Sequence, residues 1–414
     1  MAESLKQIQE FRFFSLDHQQ YSPLYTLCQN FDIEYLKSLN PKSLVVFEYS
    51  NRETDSKSKL MEEVLRISKD ISPVITSFHV NLIFQVDSQS ILKILENLAS
   101  RCTPGVLKRL GFGHQYGSCS NINLFFEKLE KINQVEKLYD VHELVLNNLE
   151  FSNESNHRIL IEIFINHHLS NFKYLTRLDL IKFKIDAHGD LFEQYLMESN
   201  IEKLKFDYSS ITQSILTSIT KMRNLETFKF TNSSGPYIYN HLSFELYKIL
   251  FQNEFYSPLK KLKLTGLSYY QSLESKYINK VPIAAELIHF IVDIDLIFIK
   301  DYKFMVGLLM IYPLLETLSI RGQLKNVNFS IETEFNLFFQ NIFNHKCLRE
   351  LEFMAIEMND SLLDQIFKNP LKGKSNLRVI QLRYSSALVN YLRLKTSISW
   401  DIVDSSNKIS CFIS

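Results

Sequence analysis

A leucine spacing that fits neither a helix nor a simple strand recurs along this chain. In LKKLKLTGLSY, residues 259–269, leucine stands at positions 1, 4, 6 and 9, counted from Leu259. A helix repeats apolar residues every three to four positions, and a half-buried strand every two. The mixed spacing predicts a short strand that buries positions 4 and 6, with positions 1 and 9 turning inward at its entry and exit.

The pattern occurs about twelve times, with successive starts 24 to 34 residues apart. No single unit can bury its own apolar set, but stacked units share one core. The clearer copies begin at Leu175, Ile201, Leu225, Leu259, Leu315, Leu348 and Leu377. Weaker copies begin at Leu44, Ile75, Leu107, Val141 and Ile291.

Segments between the copies place apolar residues at i, i+3, i+4 and i+7, which predicts amphipathic helices. Strands that alternate with helices favour parallel pairing through crossovers, and so an α/β fold. The predicted helices cover 59–68, 90–100, 123–132, 160–169, 191–197 and 335–343.

Composition narrows the class of protein. Of 414 residues, 45% are hydrophobic and 22% charged, as in a folded protein, and Lys+Arg and Asp+Glu both number 46. No bulk charge therefore directs the chain to nucleic acid or to a membrane. Glycine and proline together number only 19, and no flexible linker divides the chain into independent domains.

The chain is expected to be intracellular, and cytoplasmic in particular. Its N-terminus, MAESLKQIQEFRFF, has no apolar run of signal-peptide length, and the apolar stretch 304–315 is too short to span a membrane. An odd number of scattered cysteines predicts free thiols in a reducing compartment. A nuclear location stays open. The five are Cys28, Cys102, Cys119, Cys347 and Cys411.

Over residues 44–390 the pattern resembles the leucine-rich repeat family, LxxLxLxxNxL, and its strand-plus-helix subclass of ribonuclease-inhibitor-like and leucine-rich F-box proteins. The resemblance implies an α/β solenoid, a horseshoe with a parallel sheet on the concave face and helices on the convex face. Residues 1–43, which lack the Leu-Pro opening of an F-box, and residues 391–414 would cap its ends.

Position 9 departs from the family, which usually carries Asn or Cys there to bond the backbone of the turn. None of the copies has Asn at this position, so the polar ladder is expected to be missing. The residues present include Ser209, Ser233, Leu267, Gln323, Ile356 and Ser385.

The resemblance implies that a protein partner docks on the concave face, where positions 3, 5 and 7 point. Lysines cluster at these positions in the sixth to eighth copies, and two aspartates follow in the ninth. Such a basic patch beside an acidic one could steer a complementary protein. The proposed contact residues are Lys203, Lys205, Lys229, Lys261, Lys263, Asp293 and Asp295.

The plainer alternative is that these charges only keep the surface solvated, with Lys263 paired to Asp295. Nucleic acid is a less favoured partner, because the face shows no aromatic stacking platform. The expected function is a non-catalytic interaction scaffold or receptor. Two alternatives stay open: a substrate-recognition subunit of a ubiquitin ligase, and a GTPase activator of the kind known in a branch of this family.

No enzyme, cofactor or metal signature stands out, and none is predicted. GFGHQYG, residues 111–117, has the wrong glycine spacing for a phosphate loop and overlies a strand. His167 and His168 are adjacent, so on an α-helix their rings point in different directions and should not chelate a metal as an i, i+4 pair would.

The last four residues, CFIS, fit the C-a-a-X prenylation pattern with Cys411 as the acceptor. The reaction needs an accessible thiol on a loose terminus. One lipid chain would give reversible attachment to a membrane, and a plain C-terminal end is the alternative.

Overall fold

The structure is a computed structural model of residues 1–414. It describes residues 10–16, 43–49, 65, 69, 76–82, 88–114, 122–147, 157–183, 189–207, 209, 211–231, 259–265, 288–293, 313–321, 341, 344–354, 379–383, 400–405 and 408–413. The chain forms two compact units, Met1–Ile211 and Thr212–Ser414.

The first unit contains a parallel sheet of seven strands that follow one another in chain order. Parallel strands require crossovers, and here helices supply several of them. The strands are β1 (Glu10–Leu16), β2 (Ser43–Tyr49), β3 (Ser77–Leu82), β4 (Arg109–His114), β5 (Glu143–Asn147), β6 (Arg177–Ile181) and β7 (Lys203–Asp207).

Helices connect the later strands of this unit. They are α1 (Ser88–Arg101), α2 (Ile122–Leu129), α3 (Glu136–Tyr139), α4 (His157–Ile163) and α5 (Gly189–Glu198). A π-helix (Phe164–His168) and a 3-10 turn (Leu169–Asn171) continue directly from α4. The predicted segments 90–100, 123–132, 160–169 and 191–197 are thus largely helical, and most of the predicted segments 59–68 and 335–343 lies outside the described residues.

The second unit begins with α6 (Gln213–Lys221), capped by the Thr212 hydroxyl, which accepts from the Ile215 N–H at 3.3 Å. Six parallel strands follow, and two antiparallel ones come last, in the order β13, β15, β14. The strands are β8 (Thr227–Thr231), β9 (Lys261–Thr265), β10 (His289–Asp293), β11 (Thr317–Arg321), β12 (Glu350–Met354), β13 (Val379–Arg383), β14 (Trp400–Ser405) and β15 (Lys408–Ile413).

The apolar pattern is buried as predicted in the described residues. In the copy from Ile201, Leu204 and Phe206 occupy positions 4 and 6, and all three side chains are at most 1% exposed. Leu175, Leu178 and Leu180 repeat the arrangement in the preceding copy. Positions 1, 4 and 6 therefore build the core of the sheet, as the leucine spacing indicated.

The same backbone arrangement precedes several strands. The position-2 carbonyl of one copy accepts the N–H groups of positions 2 and 3 in the next copy. For example, the Thr176 oxygen accepts from Glu202 at 2.7 Å and from Lys203 at 3.0 Å. The Ile288 oxygen likewise accepts from Glu316 and Thr317. This repetition fixes the register of the strands independently of their side chains.

The register corrects two of the weaker copies. Leu44 pairs with Phe78, a position-4 residue, so the copy predicted to start at Leu44 begins three residues earlier. Phe290 pairs with the position-4 residue Leu262, so the copy predicted from Ile291 begins four residues earlier. Both stretches are continuously apolar, so the 1-4-6-9 pattern can be aligned with them in more than one way. Cross-strand pairing then decides which alignment is correct.

The prediction of a missing polar ladder is wrong at Ser209, which lies at position 9 and is 4% exposed. Its hydroxyl accepts from the Phe183 N–H at 2.9 Å and donates to the Leu180 oxygen at 3.0 Å. One serine hydroxyl can both accept and donate, so it ties down the turn of the preceding copy much as an asparagine would. The other position-9 residues named above lie outside the described residues.

Candidate interaction face and histidine cluster

Side chains at positions 3, 5 and 7 of the strands form what we call the odd face, opposite the buried positions 4 and 6. In β7, Lys203 is exposed and Lys205 and Asp207 are partly exposed, while Leu204 and Phe206 between them are buried. Because side chains alternate across a strand, the odd face carries the polar residues of this strand.

Helices of the first unit pack on the side of positions 4 and 6. The ring of Phe126 in α2 lies 6.5 Å from that of Phe112, at position 6 of β4. The ring of Phe192 in α5 lies 6.3 Å from that of Phe206, at position 6 of β7. These contacts leave the odd face of β4 and β7 on the side away from α2 and α5.

A network of ion pairs crosses the odd face from β4 to β6. Arg177 donates from Nε to Asp179 Oδ1 at 3.0 Å and from Nη2 to Oδ2 at 2.8 Å. Its Nη1 donates to Glu143 Oε2 at 3.3 Å, and Arg109 Nε lies 3.7 Å from the same oxygen. The hydrogen bond to Asp179 raises the pKa of Arg177, against the effect of burial. The Arg177 guanidinium is therefore held in place by neighbours on its own face.

Lys203 and Lys205 lie in this first unit, on β7. The ammonium of Lys205 pairs with Asp207 Oδ2 at 2.7 Å. Lys203 stands beside Arg177 in the strand register and is exposed. Within the part of the chain that the structure describes, its side-chain ammonium has no hydrogen bond or ion pair. Of the two lysines on β7, Lys203 is thus the one without an ion pair among the described residues.

Lys229, Lys261 and Lys263 lie in the second unit, on β8 and β9. Lys229 is the parallel partner of Lys263, and Lys261 is the partner of Thr227, so all three occupy the odd face. Each side chain is partly exposed. The predicted cluster of these three cations on neighbouring strands is therefore present in this unit, while Lys203 and Lys205 belong to the other.

The register of β10 alters the acidic patch predicted from Asp293 and Asp295. Asp293 lies at position 7 and not at the predicted position 3. At position 7 it is the strand partner of Arg321 in β11. The residue that pairs with Lys263 is Ile291, not an acid. Asp295, the predicted ion-pair partner of Lys263, lies outside the described residues.

A second group of polar side chains lies away from the odd face, where α2 ends and the π-helix runs. His168 Nδ1 hydrogen-bonds to Glu130 Oε1 at 2.8 Å, and His167 Nε2 lies 3.4 Å from Glu130 Oε2. Each of the three offers a ligand atom within 4.8 Å of the other two, so this group, which we call the histidine cluster, could hold a metal ion.

The expectation that the two histidines point apart is wrong. Their ring centroids lie 5.1 Å apart, and both rings meet the same carboxylate. The expectation assumed an α-helix, whereas these residues end a π-helix, whose i→i+5 turn is wider. Sequence periodicity gives no signal for a π-helix, so the cluster could not be found without the structure.

Burial holds His168 in place. Its side chain is fully buried and its ring stacks on Phe126, with centroids 5.1 Å apart and planes 19° apart. Burial lowers the pKa of His168, while the hydrogen bond and the charge of Glu130 oppose that shift. By contrast His167 is 64% exposed, so one side of the cluster meets solvent.

The predicted lipidation site, Cys411, lies in β15, which has β13 on one side and β14 on the other. Because prenylation needs an accessible thiol on a free stretch of chain, modification of Cys411 would require β15 to detach from its two neighbours. Among the described residues, Cys102 and Cys347 carry free thiols. In that same part of the chain, no helix is long and apolar enough to cross a membrane.

No known family matches the chain, and no curated protein matches it.

Proposed function

We propose that this protein is a non-catalytic scaffold or receptor of the leucine-rich repeat type, and that it binds a protein partner on the odd face. The observation that carries the proposal is the alternation in β7, where Lys203 is exposed and Lys205 and Asp207 are partly exposed, while Leu204 and Phe206 between them are buried. A polar strand face with no helix of α2 or α5 on it is suited to docking another protein.

The charges of the odd face favour an acidic partner segment. From β4 to β7, the partly or fully accessible cations are Arg109, Arg177, Lys203 and Lys205. They exceed the carboxylates of Glu143, Asp179 and Asp207 by one, and Lys203 is the cation whose side chain forms no ion pair among the described residues. Electrostatic complementarity of this kind mainly sets specificity and association rate.

Ion pairs within the odd face order part of this surface. Arg177 uses Nε, Nη1 and Nη2 on Asp179 and Glu143. A surface already ordered by such bonds loses less side-chain entropy when a partner binds. The same pairing gives no support to Arg177 as the catalytic arginine of a GTPase activator, because its donors are already occupied.

We further propose that the strand–helix copies stack into one leucine-rich repeat solenoid. The recurring backbone bonds before the strands and the turn bond of Ser209 support this proposal, since both repeat a contact between successive copies. Small-angle scattering tests it. A compact globule of this length has a radius of gyration of roughly 22 Å, and a solenoid should exceed it clearly; a value near the globular one would contradict the proposal.

Charge reversal tests the docking face. Lys203→Glu should lose a partner that the natural protein captures in a quantitative affinity experiment, and added salt should weaken that capture. Lys93→Glu, at another exposed lysine, on α1, is the matched control and should keep it. Lys261→Glu applies the same test to the second unit. If every partner is retained equally by all variants, the lysines are only a solvated surface and the docking proposal is wrong.

A further inference from the structure

The histidine cluster brings together side chains that commonly bind metal ions, and the proposed docking function gives them no role. We propose that Glu130, His167 and His168 form a binding site for a divalent transition-metal ion such as Zn²⁺. Two imidazoles and one carboxylate, with a water in the fourth position, are one of the ligand sets that Zn²⁺ accepts.

The distances between donor atoms suit such an ion. Tetrahedral Zn²⁺ with bonds near 2.0–2.1 Å separates its ligand atoms by about 3.3 Å. His167 Nε2 and Glu130 Oε2 already lie 3.4 Å apart, and all three ligand atoms lie within 4.8 Å of one another. Small rotations of the Glu130 carboxylate and the His167 ring would bring the donors to bonding distance.

The cluster combines one fixed ligand with two accessible ones. His168 is fully buried and stacked on Phe126, so its ring needs little ordering when an ion arrives. Glu130 is 27% and His167 64% exposed, which gives the ion a path from solvent. Glu127, exposed and near enough to act on His168 electrostatically, adds a second negative charge around the site.

Metal binding is distinct from the simpler role in which the Glu130–His168 hydrogen bond only anchors the end of α2 to the π-helix. That role needs no contribution from His167, whose side chain is mostly exposed. A metal site needs His167 as its third protein ligand. The effect of replacing His167 therefore separates the two possibilities.

The test uses the full chain, stripped with a chelator, and titrated calorimetrically with ZnCl₂. We expect one equivalent of Zn²⁺ to bind and to raise the melting temperature, since an ion that binds the folded state stabilises it. His167→Ala should weaken binding by at least about tenfold, and Glu130→Gln similarly. His142→Ala, which removes another partly exposed histidine of the same unit, should bind as the natural protein does.

Co²⁺ provides a second measurement on the same variants, because a tetrahedral nitrogen–oxygen site gives it an intense visible absorption. That band should appear with the natural chain and with His142→Ala, and vanish with His167→Ala. Melting curves without metal check that His167→Ala folds. Zn²⁺ affinity that is unchanged in both His167→Ala and Glu130→Gln, or no binding by the natural chain, would overturn the proposal.

Discussion

Arg177 and Asp179 stand two residues apart on β6 and form a two-bond ion pair, at 3.0 and 2.8 Å, with the Asp179 side chain only 5% exposed. Side chains two apart share one face of a strand, so the pair forms within the strand rather than between strands. Glu143 of β5 joins it from the neighbouring strand. Three charged residues of the odd face thus constrain one another.

Asp179→Ala should destabilise the fold. It leaves the partly buried Arg177 guanidinium without its closest partner, which should cost about 2–3 kcal/mol of unfolding free energy. Urea denaturation measures the change. Glu202→Ala, which removes an exposed carboxylate just before β7, should change stability by less than about 0.5 kcal/mol. Equal effects of the two substitutions would mean that the ion pair contributes nothing specific.

Ser209→Ala should also destabilise the fold, by about 1–3 kcal/mol. It removes the hydroxyl that bonds the Phe183 N–H and the Leu180 oxygen in a buried turn. Ser170→Ala, whose hydroxyl bonds only local backbone at an exposed site, is the control and should have a small effect. The comparison again uses urea midpoints. A Ser209→Ala variant as stable as the natural chain would show that the turn does not depend on this side chain.

Cys102 should resist alkylation in the folded protein. The residue is 3% exposed, and burial raises the pKa of its thiol above the ordinary value of 9.0, so little thiolate is available. Peptide mapping after iodoacetamide treatment should show it labelled at least about tenfold more slowly than the half-buried Cys347, and readily once urea unfolds the chain. Similar native labelling of both would contradict the burial.

The same shift in the Cys102 pKa makes stability depend on pH in a defined direction. The folded chain holds this proton above pH 9.0, where the unfolded chain gives it up. The contribution of Cys102 to the free energy of unfolding is therefore complete below pH 9.0 and is lost as pH rises through the folded-state pKa of the thiol. Denaturation midpoints should therefore fall above about pH 9 in the natural chain, and less steeply in Cys102→Ala; identical slopes would exclude this residue as a cause.

The folded chain should be a poor substrate for farnesyl transfer. Cys411 pairs with Ile380 on one side and Ile402 on the other, and an enzyme needs the terminus in extended, free form. A peptide that ends in CFIS should be modified much faster than the intact protein, as followed by mass. A protein modified as quickly as the peptide would show that β15 detaches readily.

Local sequence pattern was enough to predict most strands and the direction in which their side chains point. Leu204 and Phe206 alternate with Lys203 and Lys205, and that alternation alone assigns the buried and polar sides of β7. The same kind of spacing predicted the helical segments between strands. These features depend on residues near one another in the chain, so the sequence holds the information directly.

Contacts between distant residues needed the structure. The register of β2 and β10 is decided by pairing with Phe78 and Leu262, because continuous apolar runs fit more than one alignment. The two bonds of Ser209 reach back to the preceding copy.

The sequence by itself determined the repeating strand unit, its buried leucines and the polar face opposite them, because hydrophobic periodicity is a local property. Only the tertiary structure decided that Glu130 reaches His168 across 38 positions and that a π-helix turns His167 toward the same carboxylate. Contacts of this kind depend on how helices pack against one another and on local helix type, and the spacing of residues along the chain does not encode them.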